Sequence, residues 1–220
     1  MLSALPKGKK GGKVRDRWRD KKWIAIESPT SFGSEQIAQV PVFDPSGAIG
    51  RSVETTLFDI LKQEPQQYQI KLRFKVNEVD GLHGRTILQS SEYSREYLRS
   101  LTRRGSSMVS FVNDYTTKDG YVIRAYLVVF SQGRINSSRK HAIRLISKSL
   151  LTDKASSMTY EQFAQQAVLG QLASEIYNQI KKISHLKHVG IRKTKVLRVG
   201  EPMKEESPPQ EEATQDVAAA

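Results

Sequence analysis

Arg95, Arg99 and Arg103 stand four residues apart, and so do Lys140, Arg144 and Lys148. On a helix that spacing lines each trio along one face, at roughly 6 Å per step. Like charges so placed weaken an isolated helix by roughly 0.2–0.5 kcal/mol per pair. An external anion would offset this, and the chemistry such stripes suit is the neutralisation of phosphates. The surroundings sharpen the point. From Gly120 through Thr152 there is no acid and there are six basic residues, Arg124, Arg134, Arg139, Lys140, Arg144 and Lys148. A third group, Arg192, Lys193, Lys195 and Arg198, falls in Ile176–Gly200, which has seven basic residues and no acid. Each cluster also has a bland reading. The helical stripes could be solvated faces, and the third group an edge strand that lysines protect from aggregation. Two stripes beside an acid-free span favour phosphate contact. Arg124 is read otherwise: in a strand apolar on both sides it should pair with an acid across the hairpin, with Asp114 a candidate.

The whole chain has the same bias. Its 220 residues carry a formal charge of +12, with a pI near 9.8. Residues 1–23 contribute nine Lys/Arg against two Asp, residues 24–200 twenty-five against fifteen acids, and residues 201–220 one Lys against six acids. The arm's Lys7, Lys9, Lys10, Lys13, Arg15, Arg17 and Arg19 sit among glycines without periodicity, so residues 1–22 read as a basic arm that orders on a partner. Residues 200–220 read as a disordered acidic tail. Trp18, amid arginines, is a base-stacking candidate; Trp23 and Tyr97 are expected in the core.

Enzyme chemistry finds little support. "GKKGGKV" fails the spacing of a phosphate-binding loop, with Val14 where a hydroxyl belongs. His185 and His188 are three apart, but no third ligand lies nearby, so no metal site is assigned. The chain has no cysteine, which excludes disulfides and thiol nucleophiles. No catalytic residue and no cofactor is expected. No apolar run reaches the roughly 18 residues of a membrane span, and the N-terminus lacks the apolar stretch of a secretory signal. An intracellular protein is the expectation.

The elements that must hold these residues follow from periodicity. "WIAIE", "AQVPVF" and "SVETTLF" are short strands, and 68–79 alternates strictly, with "GRTILQ" as its hairpin partner. A second hairpin joins 108–115 to 121–130, the latter a central strand. Helices are predicted over Ser94–Arg104 and Ser138–Leu151, and from the capping box Thr159–Gln162 to about Ile183 with a break at Gly170. Residues 188–199 return to strand. The organisation expected is a single α+β domain over 23–199.

Several segments together resemble a known family: "KWIAIESPTSFG", "IGRSVETTLFDIL", "IKLRFKV", "SREYLRSLTRRGSS", "TTKDGYVIRAYLVVF", "INSSRKHAIRLISK", "LGQLASEIYNQIKKI" and "GIRKTKVLRV". In this order, over about residues 20–199, they resemble the small-subunit ribosomal proteins shared by archaea and eukaryotes, the "S-three-A-e" family, in its archaeal branch. The resemblance implies an antiparallel β-barrel-like core with flanking helices. It implies a cytoplasmic, ribosome-bound structural protein on the platform of the small subunit, near the messenger exit and the rRNA 3′ end. Its partners would be small-subunit rRNA, neighbouring ribosomal proteins and messenger RNA at the exit site. The family's basic segments map onto Arg95, Arg99, Arg103 and Arg104, onto Arg139 to Lys148, and onto Arg192 to Arg198. Two departures predict weaker rRNA contact: "SQGR" leaves Arg134 alone after the "VVF" strand, and "SHLKHV" stands where relatives carry more charge. The rival reading is a free RNA-binding regulator or chaperone acting off the ribosome.

Overall fold

The computed structural model describes residues 18–200, so Lys7, Lys9, Lys10, Lys13, Arg15, Arg17 and the acidic tail lie outside the described residues. The fold is α+β, built on one eight-stranded sheet. The strands are β1 (Lys22–Glu27), β2 (Gln36–Val42), β3 (Ser52–Thr56), β4 (Ile70–Asp80), β5 (His83–Tyr93), β6 (Met108–Thr116), β7 (Val122–Ser131) and β8 (Leu186–Arg198). The helices are α1 (Leu57–Leu61), α2 (Arg95–Leu101), α3 (Ser137–Ser157), α4 (Tyr160–Val168) and α5 (Gln171–Ile180).

β5 is the hub. It pairs with β4 along most of its length; its other edge meets β1 in parallel through His83–Arg85 and β8 antiparallel through Ser90–Glu92. From that edge two wings diverge, β1–β2 and β8–β7–β6. Among the described residues nothing pairs β6 with β2 or β3, so the sheet is open and the expected barrel-like closure is not formed. The β5–β8 junction is only three residue pairs wide, and a buried hydroxyl pair pins its register: Ser91 Oγ lies 2.7 Å from Thr194 Oγ1, which also accepts from Ser91 N.

Alternation makes the core. On β4, Leu72, Phe74 and Val76 are buried while Lys71, Arg73 and Lys75 are exposed. Along β7, Ile123, Ala125, Leu127 and Val129 join the main core with Ile143, Leu151 and Ala155 of α3 and Phe163, Leu172 and Ile176 of α4 and α5. On β1, Ile24 and Ile26 point inward, so Trp23 points out and is 56% exposed, against the expectation of core packing. Two further boundaries differ from the sequence reading. "SVETTLF" stops being a strand at Thr56, whose hydroxyl and Asp59 form a capping box that opens α1. β8 is no edge strand, because it lies between β7 and β5.

Candidate nucleic-acid interface

α2 is shorter than its charge pattern suggests. Ser94 caps it by accepting from Tyr97 N, and it ends at Leu101 because Thr102 turns extended and its hydroxyl bonds the Leu98 carbonyl. Gly105, at φ +84°, completes the exit turn. Only Arg95 and Arg99 of the predicted trio are therefore helical. Arg103 and Arg104 follow in the turn, exposed.

β8 supplies the next cation. Tyr126 pairs with Lys193 but Leu127 with Ile191, which leaves Arg192 as the extra residue of a β-bulge. Arg192 continues the alternation of His188 and Gly190, which face α2, and Arg95, Arg99 and Arg192 line one cleft of about 260 Å³. Two groups separated by about a hundred residues in sequence thus converge. None of the three arginines is ion-paired among the described residues. Lys193 differs, since its ammonium donates to Glu92 at 2.8 Å. Lys195 and Arg198 are exposed farther along the strand.

Behind the cleft, α2 rests on an aromatic cluster. The Tyr93, Tyr97 and His188 rings meet edge to face, with centroids 5.4–6.1 Å apart. Gly190 is required there, because a Cβ at that position would lie 2.8 Å from His188 Nε2 and 2.9 Å from the Tyr93 ring. Burial pushes the Tyr93 hydroxyl up to about 12 and, with Lys187 nearby, holds the His188 pKa below its usual value. His188 Nε2 is buried without a hydrogen-bond partner among the described residues, in keeping with a neutral ring.

α3 carries the second stripe. Its buried line is Ile143, Ser147, Leu151 and Ala155, four apart, with the Ser147 hydroxyl satisfied by the Ile143 carbonyl at 2.7 Å. Arg144 and Lys148 stand exposed one position further round, and Lys140 is half-buried. At its N-terminus, Asn136 makes no side-chain cap and the first turn holds no acid. Arg139 sits in that turn, where the helix dipole disfavours a cation. It lines a second cavity, of about 280 Å³, with Arg134, Lys181, Lys182 and His185. Among the described residues, five basic side chains and no acid line this space. Ser107 and Ser131 fix the loop beside it: Ser107 N donates to Ser131 Oγ at 3.0 Å, and Ile135 N to Ser107 Oγ at 3.1 Å.

Arg124 and Asp114 sit opposite each other on β7 and β6 and form a two-pronged pair, at 2.7 and 2.8 Å. The guanidinium hydrogen bonds hold the Asp114 carboxyl below its ordinary range. Arg124 thus takes the sequence-predicted partner. Of the aromatic residues, Trp18 is 62% exposed with Lys21 Nζ 3.5 Å over its ring. Arg19 beside it is exposed. The described residues include no group of three or more His, Asp or Glu arranged to hold a metal ion.

Residues 9–200 match the Ribosomal S3Ae family. The chain belongs to that family. It is similar to proteins named small ribosomal subunit protein eS1: 45% identical in Saccharolobus islandicus (strain L.S.2.15) over 194 residues, covering 87% of this chain and 92% of the relative. The Saccharolobus solfataricus protein is 43% identical over the same shares, and that of Archaeoglobus fulgidus 39% identical over 93% of this chain and 97% of its own length. This is a family of ribosomal proteins and not of enzymes.

In this S3Ae member the two segments from which weaker contact was expected are neighbours. "SQGR" and "SHLKHV" meet in space, with Gln132 N donating to His185 O at 3.1 Å, and Arg134 is not alone. Lys181 and Lys182, at the end of α5, and His185 line the second cavity and were not among the candidates read from the sequence. The signal for the lysines was present: both lie in the acid-free stretch 176–200.

Proposed function

We propose that this S3Ae protein is a structural constituent of the small ribosomal subunit and binds its rRNA through the two basic cavities and the exposed face of α3. The similarity to small ribosomal subunit proteins over 87% of the chain carries this reading. The geometry supports it, since cations without acidic partners line both cavities. Contacts to phosphates would dominate, positioning the protein more than reading sequence. Residues 23–199 dock as one unit, with the arm of residues 1–22 threading into rRNA grooves. The family resemblance further supports a ribosome-bound protein of the cytoplasm, on the platform near the messenger exit and the rRNA 3′ end, against neighbouring ribosomal proteins and messenger RNA. No helix among the described residues is long and apolar enough to cross a membrane.

Density-gradient fractionation of cells producing the chain tests the reading. Quantitative co-sedimentation with small subunits, resistant to moderate salt, is expected. Recovery in the light fractions with heterogeneous RNA would instead indicate a free RNA-binding regulator or chaperone. Cross-linking from Lys/Arg-rich peptides would then place the protein on the rRNA.

A further inference from the structure

The cleft between α2 and the β6–β8 wing is not simply a basic groove. Its floor is apolar: Leu98 comes from α2, Met108 from β6, and Val128 and Phe130 from β7. Met108 is 51% exposed, an unusual place for a large apolar side chain beside three arginines. Phosphate contact alone needs no such floor, and a wholly solvated cation patch gains nothing from one. The rim is Arg95, Arg99 and Arg192, free of carboxylate partners among the described residues. Guanidinium planes and a polarizable thioether are groups on which flat aromatic rings lie well.

We infer that this cleft accepts one unpaired nucleotide of the bound RNA, its base against Leu98 and Met108 and its flanking phosphates on Arg95, Arg99 and Arg192. The inference rests on the rRNA-binding reading and adds to it a preference for a splayed-out single-stranded base over duplex backbone. Charge complementarity selects the occupant: it must be anionic at the rim and apolar and planar at the centre. The cleft belongs to a built element. The Gly190 close approach and the Tyr93–Tyr97–His188 cluster together hold α2 at this distance from the sheet. A Lys187 Nζ bond to the Leu101 carbonyl, 3.2 Å, ties the end of α2 to β8.

Three probes offered to the full-length chain test this: a short single-stranded RNA with 2-aminopurine at its centre, the same strand abasic at that position, and a duplex of equal length. The base-bearing strand should bind about tenfold tighter than the abasic one, the scale of a single stacked base, with quenching of its fluorescence. Ser110 is exposed and lines the cleft, so Ser110→Ile fills the space with no aromatic face and leaves all three arginines in place. In that variant the tenfold difference should vanish while duplex binding stays at the parental level. Met108→Ala, at an exposed position, should reduce the difference in the same sense, and an unchanged melting temperature certifies both folds. Equal binding of the base-bearing and abasic strands by the parent would overturn the inference, as would a difference that survives Ser110→Ile. Tighter, Ser110→Ile-sensitive binding of a short acidic peptide bearing one aromatic residue would also overturn it, making the cleft a protein-docking site. Continued co-sedimentation of the chain with small subunits in any of these cases leaves the ribosomal reading standing, so the two failures are distinguishable.

Discussion

At the scale of single residues, His188 shows how the chain builds its interface support from groups that are not cationic. Its ring is wedged between Tyr93 and Tyr97, and desolvation, reinforced by Lys187, lowers its pKa. A histidine whose folded pKa is depressed binds fewer protons folded than unfolded. Its contribution is complete above the unfolded value near 6.5 and is lost as pH falls through the folded value. The melting temperature should therefore decline between pH 7 and pH 5.5, and His188→Gln should remove most of that decline. An unaltered slope in the variant would assign the effect elsewhere. Asp114 acts lower on the scale, since Arg124 depresses it: its stabilising share is present above about pH 3.9 and lost as acid protonates the carboxylate. The Asp114–Arg124 pair was legible because opposite residues of a hairpin meet at predictable register. The His188 packing was not, because it depends on α2 returning over β8 from nearly a hundred residues earlier.

At the scale of elements, periodicity identified most strands and helices, and it placed the α4 cap at Thr159–Gln162, where both bonds of the box form. It failed where two local signals competed. Thr56 and Asp59 cap α1 against a β-rich run, and Thr102 ends α2 before the arginine spacing is exhausted. The charge stripe therefore overstated the helix. The structure brings together a different trio from the one spacing suggests. Changing Arg95, Arg99 and Arg192 together to Gln should weaken rRNA binding and reduce the slope of log K against log salt by about 2–3, since each lost phosphate contact removes roughly 0.7–0.9. Thermal stability should stay near the parental value, because all three side chains are exposed and unpaired among the described residues. Adding Arg103→Gln should leave the slope of the triple variant unchanged if that residue, beyond the helix, makes no phosphate contact of its own, whereas a contact would remove roughly a further 0.7–0.9.

At the scale of the whole molecule, the two cavities are built from different elements, the cleft from α2 and the β6–β8 wing and the second cavity from the 133–135 loop, α3 and residues 181–185. Val128 and Phe130 alternate with Leu127 and Val129, so the cleft under α2 is on one side and the core beneath α3 on the other. The Ser107–Ser131 contact holds the loop beside the second cavity close to the start of β6, where Met108 lines the cleft. Substitutions at the two sites share no partner, so Arg95/Arg99/Arg192→Gln and Arg134/Lys181/Lys182→Gln should add in free energy within about 0.5 kcal/mol. Binding measured for the two triples and their combination checks this; a combined loss no greater than either alone would mean one continuous contact.

By itself the sequence determined the alternation of strands, the long helix, the excess of cations and the family, because each is written in neighbouring residues or in collinear segments. Which cations share a site was decided by the tertiary structure alone. Arg192 joins Arg95 and Arg99 because α2 lies over β8, and Lys181, Lys182 and His185 join Arg134 and Arg139 through the meeting of two loops. Charge is a property of each residue, but convergence of charge is a property of register and chain return, and local spacing carries no record of either.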